Sequence, residues 1–235
     1  MTRFIFLCSI LIIGASAQPW VPEPQTQQDW MPWNWMERYQ TNVNNTLING
    51  PNINLLFYGD SITEGWDYTG RQIWDTVYAP FGAANYGIGG DATQHVLWRS
   101  MNGETENLAP KLCVLKIGTN NVGWYPERDI ARGISAIVAE LRGRLPTTKI
   151  LLLGILPRIN AEETERVEQI NAMVSILDNG NTVRFLNMRD AFYMGNGQFY
   201  PGLYSPDLLH LETMGYAKWR ETMEPLFLEM WNSEK

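Results

Sequence analysis

The chain has little of what several common chemistries need. Two of its 235 residues are cysteine and two are histidine. No His-x-x-x-His, Cys-x-x-Cys or EF-hand spacing is present, so neither a metal nor a cofactor is expected. Cys8 lies in the extreme N-terminal segment and Cys113 begins an apolar run. If that segment is removed, no internal disulfide can form, and Cys113 is expected to be buried as a small hydrophobe. Basic residues are also in deficit: 18 Lys and Arg face 25 Asp and Glu, for a formal net charge of −7. Binding phosphates along a backbone needs a basic face, so nucleic acid is not an expected partner.

The N-terminal apolar run, residues 4–13, is shorter than the roughly 20 residues a bilayer span requires. With Arg3 ahead of it and Ala15-Ser16-Ala17 behind, it reads as a signal peptide cleaved after Ala17, which makes the protein secreted. Secretion in turn makes Asn44-Asn45-Thr46 a usable glycosylation sequon. Removing the leader makes the charge one unit more negative. The chain then divides into a signal peptide (1–17), a Pro/Trp-rich segment (18–45) and one domain (46–235) long enough for a sizeable core.

What is present is a regular alternation. Short apolar runs at 54–58, 83–86, 112–117, 149–156 and 182–186 predict strands. Amphipathic stretches at 71–78, 93–101, 129–145, 161–177 and 212–231 predict helices between and after them. That order predicts an α/β domain, a five-stranded parallel sheet with helices on both faces.

The first strand, Leu55-Leu56-Phe57-Tyr58, breaks abruptly at Gly59-Asp60-Ser61. In an open parallel sheet, ligands sit beyond the carboxyl ends of the strands, so Ser61 is placed to meet a substrate and is the candidate nucleophile. Taken alone, the tripeptide reads better as an ordinary turn, and what favours the nucleophile is the company Ser61 keeps further along the chain. A serine hydroxyl needs a base, and the base needs an orienting group. His210 follows Asp207 by three residues, which in a turn puts carboxylate and imidazole on one side, so Ser61, Asp207 and His210 form a candidate triad. His95, four residues after Asp91 on a helical stretch, competes for the base but reads better as a packed or capping group. Donors for an oxyanion have two sources: the glycine cluster in Asn85-Tyr86-Gly87-Ile88-Gly89-Gly90-Asp91, and Asn120 in Gly118-Thr119-Asn120-Asn121.

These four blocks, in this order, resemble the SGNH (GDSL-type) hydrolases over most of the chain. Residues 85–99 and 118–121 are most similar to the catalytic subunits of intracellular platelet-activating factor acetylhydrolase. The resemblance implies an SGNH fold, flavodoxin-like and doubly wound. With the right-handed crossover rule it gives the strand order 2-1-3-4-5. It also implies Ser61 as nucleophile, Gly90 and Asn120 as oxyanion donors beside the Ser61 amide, and Asp207 with His210 as the acid–base pair. The expected activity is hydrolysis of short-chain, acetyl-type esters of a lipid or glycan. A carbohydrate O-acetylesterase, or a catalytically silent secreted binding protein on the same scaffold, are the alternatives.

Two segments stand apart. Residues 18–39 interleave Pro19, Pro22, Pro24 and Pro32 with Trp20, Trp30, Trp33 and Trp35, predicting an extended stretch that becomes a short helix near Asn34. Its tryptophans are expected to cover the core or a homodimer interface, with a sugar-stacking or membrane-surface patch as the alternative. Residues 193–206 predict a long loop that shapes the acyl cleft.

Overall fold

The computed structural model describes residues 17–195 and 197–233. Residues 1–16, which carry nearly all of the predicted signal peptide and Cys8, lie outside them. Among the described residues, no helix is long and apolar enough to cross a membrane.

Five parallel strands form the sheet: β1 (Leu55–Gly59), β2 (Ala83–Gly87), β3 (Leu112–Lys116), β4 (Lys149–Leu153) and β5 (Val183–Leu186). Their order is β2-β1-β3-β4-β5, as expected. Residues in β1, β3 and β4 are buried throughout because both faces of the sheet are covered. Alternation therefore divides each strand between two cores. Leu56, Tyr58, Cys113, Leu115, Ile150 and Leu152 face one core, and Leu55, Phe57, Val114, Leu151 and Leu153 the other. Cys113 is fully buried, which pushes its thiol up to about 12.

The main helices are α1 (Trp35–Asn49), α2 (Ser61–Glu64), α3 (Thr93–Met101), α4 (Glu127–Arg144), α5 (Ala161–Ser175) and α6 (Thr213–Asn232). Helices α3, α4 and α5 bury Val96, Ile134, Ile137 and Ile170 in the first core. Helix α6 buries Trp219, Met223 and Phe227 in the second.

Five expectations need correction. The helix predicted over 71–78 is one α-turn (Arg71–Ile73) followed by a π-helical stretch (Trp74–Tyr78), in which both Trp74 and Tyr78 turn onto Phe57, at 5.1 and 4.8 Å between ring centroids. The strand predicted over 149–156 stops at Leu153. Residues 193–206 are not one open loop: Tyr193–Gly195 (β6) pairs with Gln198–Phe199 (β7), and Tyr204 forms a bridge with Leu211. The short helix near Asn34 is the 15-residue α1, capped by Asn34 Oδ1, which accepts from the Met36 and Glu37 N–H groups at 3.0 and 3.3 Å. The division expected between residues 45 and 46 falls inside it. Trp35 locks α1 down: it is 1% exposed, stacks on Tyr39 and tilts against Trp98.

Candidate active site

Ser61 is the first residue of α2, directly beyond the end of β1. Asp60 Oδ1 accepts from the Ile62 N–H at 3.0 Å and so fixes the start of the helix. The first N–H groups of a helix lack intrahelical acceptors, so the Ser61 amide is left for a ligand. A Cβ on Gly59 would stand 2.1 Å from Lys116 O, and only glycine lets β1 and β3 close up beneath the serine.

His210 reaches Ser61 from a loop 149 residues away, with Nε2 2.9 Å from Oγ. Its Nδ1 lies 2.6 Å from Asp207 Oδ2. The other carboxylate oxygen, Oδ1, accepts from the Leu209 and His210 N–H groups, both at 2.9 Å, and from Ser205 Oγ at 2.6 Å. Partial burial works against the charged form of Asp207, but these hydrogen bonds from Ser205, His210 and the two amides outweigh it. Its carboxyl is held well below the usual carboxylate range. Leu208, between the pair, is held at φ 51°, a left-handed conformation that is costly for a leucine. The Ile159 N–H donates to its carbonyl at 2.9 Å, and Ser205 N–H donates to His210 O at 2.9 Å, so the loop is over-determined.

Gly90, at φ 81°, turns the chain after β2, and Asn120 lies in the Thr119–Asn121 turn after Gly118, at φ 115°. The two loops are tied together: Asn120 Nδ2 donates to Asp91 O at 2.9 Å, and Asn121 Oδ1 accepts from Thr93 N–H at 2.9 Å. The second hydrogen on Asn120 Nδ2 remains available. Ser61, Gly90, Asn120, Leu209 and His210 line one cavity of about 230 Å³ with Trp30 and Trp33. No described residue of 193–206 lines it, so that segment does not shape this cleft. It anchors the His210 loop instead, through the Tyr204–Leu211 bridge and the Tyr204 hydroxyl, which donates to Pro157 O at 2.7 Å.

His95 is elsewhere in purpose. It is buried, and its Nδ1 accepts from the Ala92 N–H at 3.0 Å, closing the first turn of α3. Burial, with a smaller effect from Arg99, pushes the ring down to about 3.

The sequence reading missed the support beneath the donors. Fully buried Arg99 donates to Asp91 Oδ2 at 2.7 Å, to Glu104 Oε2, and to the carbonyls of Gly59 and Tyr86, both at 3.1 Å. One guanidinium thus ties together the carboxyl ends of β1 and β2, from which Ser61 and Gly90 emerge. Trp35 Nε1 donates to Asp91 Oδ1 at 2.7 Å and Tyr58 OH to Glu104 Oε2 at 2.7 Å. The only signal in the sequence was an arginine beside Val96-Leu97-Trp98 in a helical stretch with no Asp, Glu or Lys.

The tryptophans divide. Trp35 covers the core, whereas Trp30 and Trp33 meet edge-to-face at 6.1 Å between centroids and stand over the glycine loop. Cβ atoms on Gly89 and Gly90 would lie 2.7 Å from Trp33 Cζ2 and 2.6 Å from Trp30 Cη2. Gln25 Nε2 donates to Gly90 O at 2.7 Å, and Thr93 Oγ1 to Pro19 O at 2.8 Å, fastening the segment to the same loop.

Residues 57–218 match the GDSL-like Lipase/Acylhydrolase family. The chain is 36% identical over 200 residues to platelet-activating factor acetylhydrolase IB subunit alpha2 of Homo sapiens, covering 83% of this chain and 84% of that one. Among solved structures, a Streptococcus pneumonia protein named for platelet activating factor superposes with a TM-score of 0.70 at 25% identity, over 81% of this chain and 91% of that one. A GDSL-like lipase from Bacteroides thetaiotaomicron shares the fold, with a TM-score of 0.69 at 22% identity over 82% and 97% of the two chains.

Proposed function

The chain belongs to the GDSL-like lipase/acylhydrolase family and is an ester hydrolase, and on that premise we propose that it removes short, acetyl-type acyl groups through Ser61, His210 and Asp207. The observation that carries this reading is the unbroken line Ser61 Oγ–His210–Asp207, with steps of 2.9 and 2.6 Å, at the wall of a cavity that Gly90 and Asn120 also border. His210 takes the proton from Ser61 as its oxygen attacks the ester carbonyl, and Asp207 holds the ring and stabilises the imidazolium. The oxyanion rests on the amides of Ser61 and Gly90 and on Asn120 Nδ2. His210 then protonates the leaving alcohol, and water repeats the sequence to free the acid and the enzyme.

The acetyl preference draws on the name of the human relative. An acetylated phospholipid is the ester that name suggests, its deacetylated lysophospholipid being the leaving alcohol. A carbohydrate ester is the second reading, favoured by Trp30 and Trp33 at the cavity wall. The protein is proposed to be secreted after cleavage behind Ala17 and to carry a glycan on Asn44. Turnover of p-nitrophenyl acetate by wild type and Ser61→Ala tests the chemistry. A fall of about 10³-fold or more is expected, and equal rates would remove Ser61 from the mechanism.

A further inference from the structure

The cavity at Ser61 has neighbours on the β2 side of the molecule. A second cavity of about 270 Å³ begins at Ile88 and Gly87, next along the chain from Gly89, and is bordered by Arg38 and Glu64. Glu64, which borders the second cavity, comes close to the first: its Oε2 would lie 3.0 Å from a Cβ on Gly89, which borders the Ser61 cavity. A third cavity, about 380 Å³, shares Asp67 and Asn85 with the second and ends at Trp74. Together they run along the free edge of β2, the outermost strand, between it and α1.

The lining has a consistent chemistry. Spacings of three and four residues put Asn42, Asn45 and Asn49 on one face of α1, and all three border these cavities, opposite Asn85 and Asp67. The amides are held in place before any ligand arrives. Asn42 Nδ2 donates to Glu104 Oε1 at 2.9 Å, Asn45 Nδ2 to Tyr86 OH at 3.2 Å, and Asn49 Nδ2 to Asn45 Oδ1 at 2.8 Å. Each keeps a further hydrogen or lone pair to offer. Arg38, the cation among the lining residues, is already committed: it pairs with Glu64 and lies over the Trp33 ring at 5.2 Å. Trp33 Nε1 is buried without an acceptor at this junction, and Trp30 beyond it is 60% exposed. Neutral amides, a carboxylate and an open indole face suit a chain of uncharged hydroxyls. They do not suit an alkyl tail, which needs an apolar channel, or a phosphate, which needs an uncommitted cation.

Resting on the esterase reading above, the geometry points to an extended subsite for a neutral acetylated oligosaccharide. The reacting acetyl group sits at Ser61, the sugar that bears it lies against Trp30, and the following sugars occupy the amide-lined groove along β2. The groove binds parts of the substrate that do not react, so its contribution grows with chain length.

The test is the hydrolysis, by the full chain, of acetylated xylo-oligosaccharides and manno-oligosaccharides of one, two and four sugars, with p-nitrophenyl acetate alongside. For at least one series, kcat/KM is expected to rise about 10-fold or more from one sugar to four. The double variant Asn49→Ala, Asp67→Ala, with an unchanged melting temperature as the control for folding, is expected to lose that gain through KM. Length-independent rates in both series would overturn the groove, as would a length effect that survives in the variant. Faster turnover of an acetylated phospholipid, or the same length effect with O-acetylserine peptides, would overturn the glycan. If p-nitrophenyl acetate itself were cleaved equally by Ser61→Ala, the esterase mechanism would fail, a result distinct from any of these.

Discussion

His95 and His210 are the same side chain put to opposite uses by their surroundings. His210 could be paired with Asp207 from the sequence because the partners are three residues apart and the link is local. The placement of His95 as a helix cap was equally local. What could not be read was Arg99, since a charged residue on a helix is ordinarily solvated, and its burial depends on Asp91, Glu104 and two strand ends brought together only by the fold. His95 also carries a pH dependence. Its folded value is depressed from 6.5 to about 3, so the unfolded chain binds the proton more tightly. Its contribution is intact above pH 6.5 and is lost progressively as pH falls towards 3. Between pH 7 and pH 5 this amounts to about 2 kcal/mol. Urea unfolding at both pH values should show wild type losing that much more stability than His95→Asn, which keeps a side-chain acceptor at this position. Parallel losses would mean that the ring is not neutral and buried as described.

Among the elements, those with a strong period were legible: β1, β3 and β4 as apolar runs in which Lys116 and Lys149 stand only at an end of the strand, and α3, α4 and α6 as amphipathic stretches within two residues of their ends. The π-helical stretch at Trp74–Tyr78 was not, because an aromatic pair four residues apart looks like an ordinary helix face until Phe57 is known to lie beneath it. Nor was the length of α1, whose polar sequence is held by Trp35 and Thr46 rather than by an apolar stripe. The contact between the end of β2 and α2 is likewise a matter of fold. A Cβ on Gly87 would lie 2.1 Å from the Glu64 backbone nitrogen, so Gly87→Ala must push α2, and Ser61 with it, away from the sheet. We expect a loss of about 2 kcal/mol in thermal or urea unfolding. Turnover of p-nitrophenyl acetate should fall about 10²-fold through displacement of the nucleophile. Wild-type rates in a folded Gly87→Ala protein would show that the serine is positioned by something else.

For the molecule as a whole, sheet order and layer arrangement followed from the alternation of elements and the family resemblance, whereas the proposed destination of the protein rests on a predicted leader of which only Ala17 is among the described residues. Expression of the full chain in a eukaryotic secretory host is expected to yield protein in the medium that begins at Gln18 and loses mass when treated with a peptide N-glycosidase. Asn44 is exposed on α1, but Thr46 of the same sequon is buried, its Oγ1 donating to Glu104 O at 2.7 Å. A sugar on Asn44 would therefore have to be added before α1 docks, and protein folded without one should resist later modification. Retention in the cell with Met1 in place would end the case for export. The two tryptophans beside Ser61 belong to a stretch ahead of every strand and helix named above. Insertions there leave each crossover at its original length, so a lineage can retailor the mouth of the enzyme from one end of its gene without retuning the scaffold, and recombinant versions trimmed to residue 35 would display a wider entrance than the natural protein possesses.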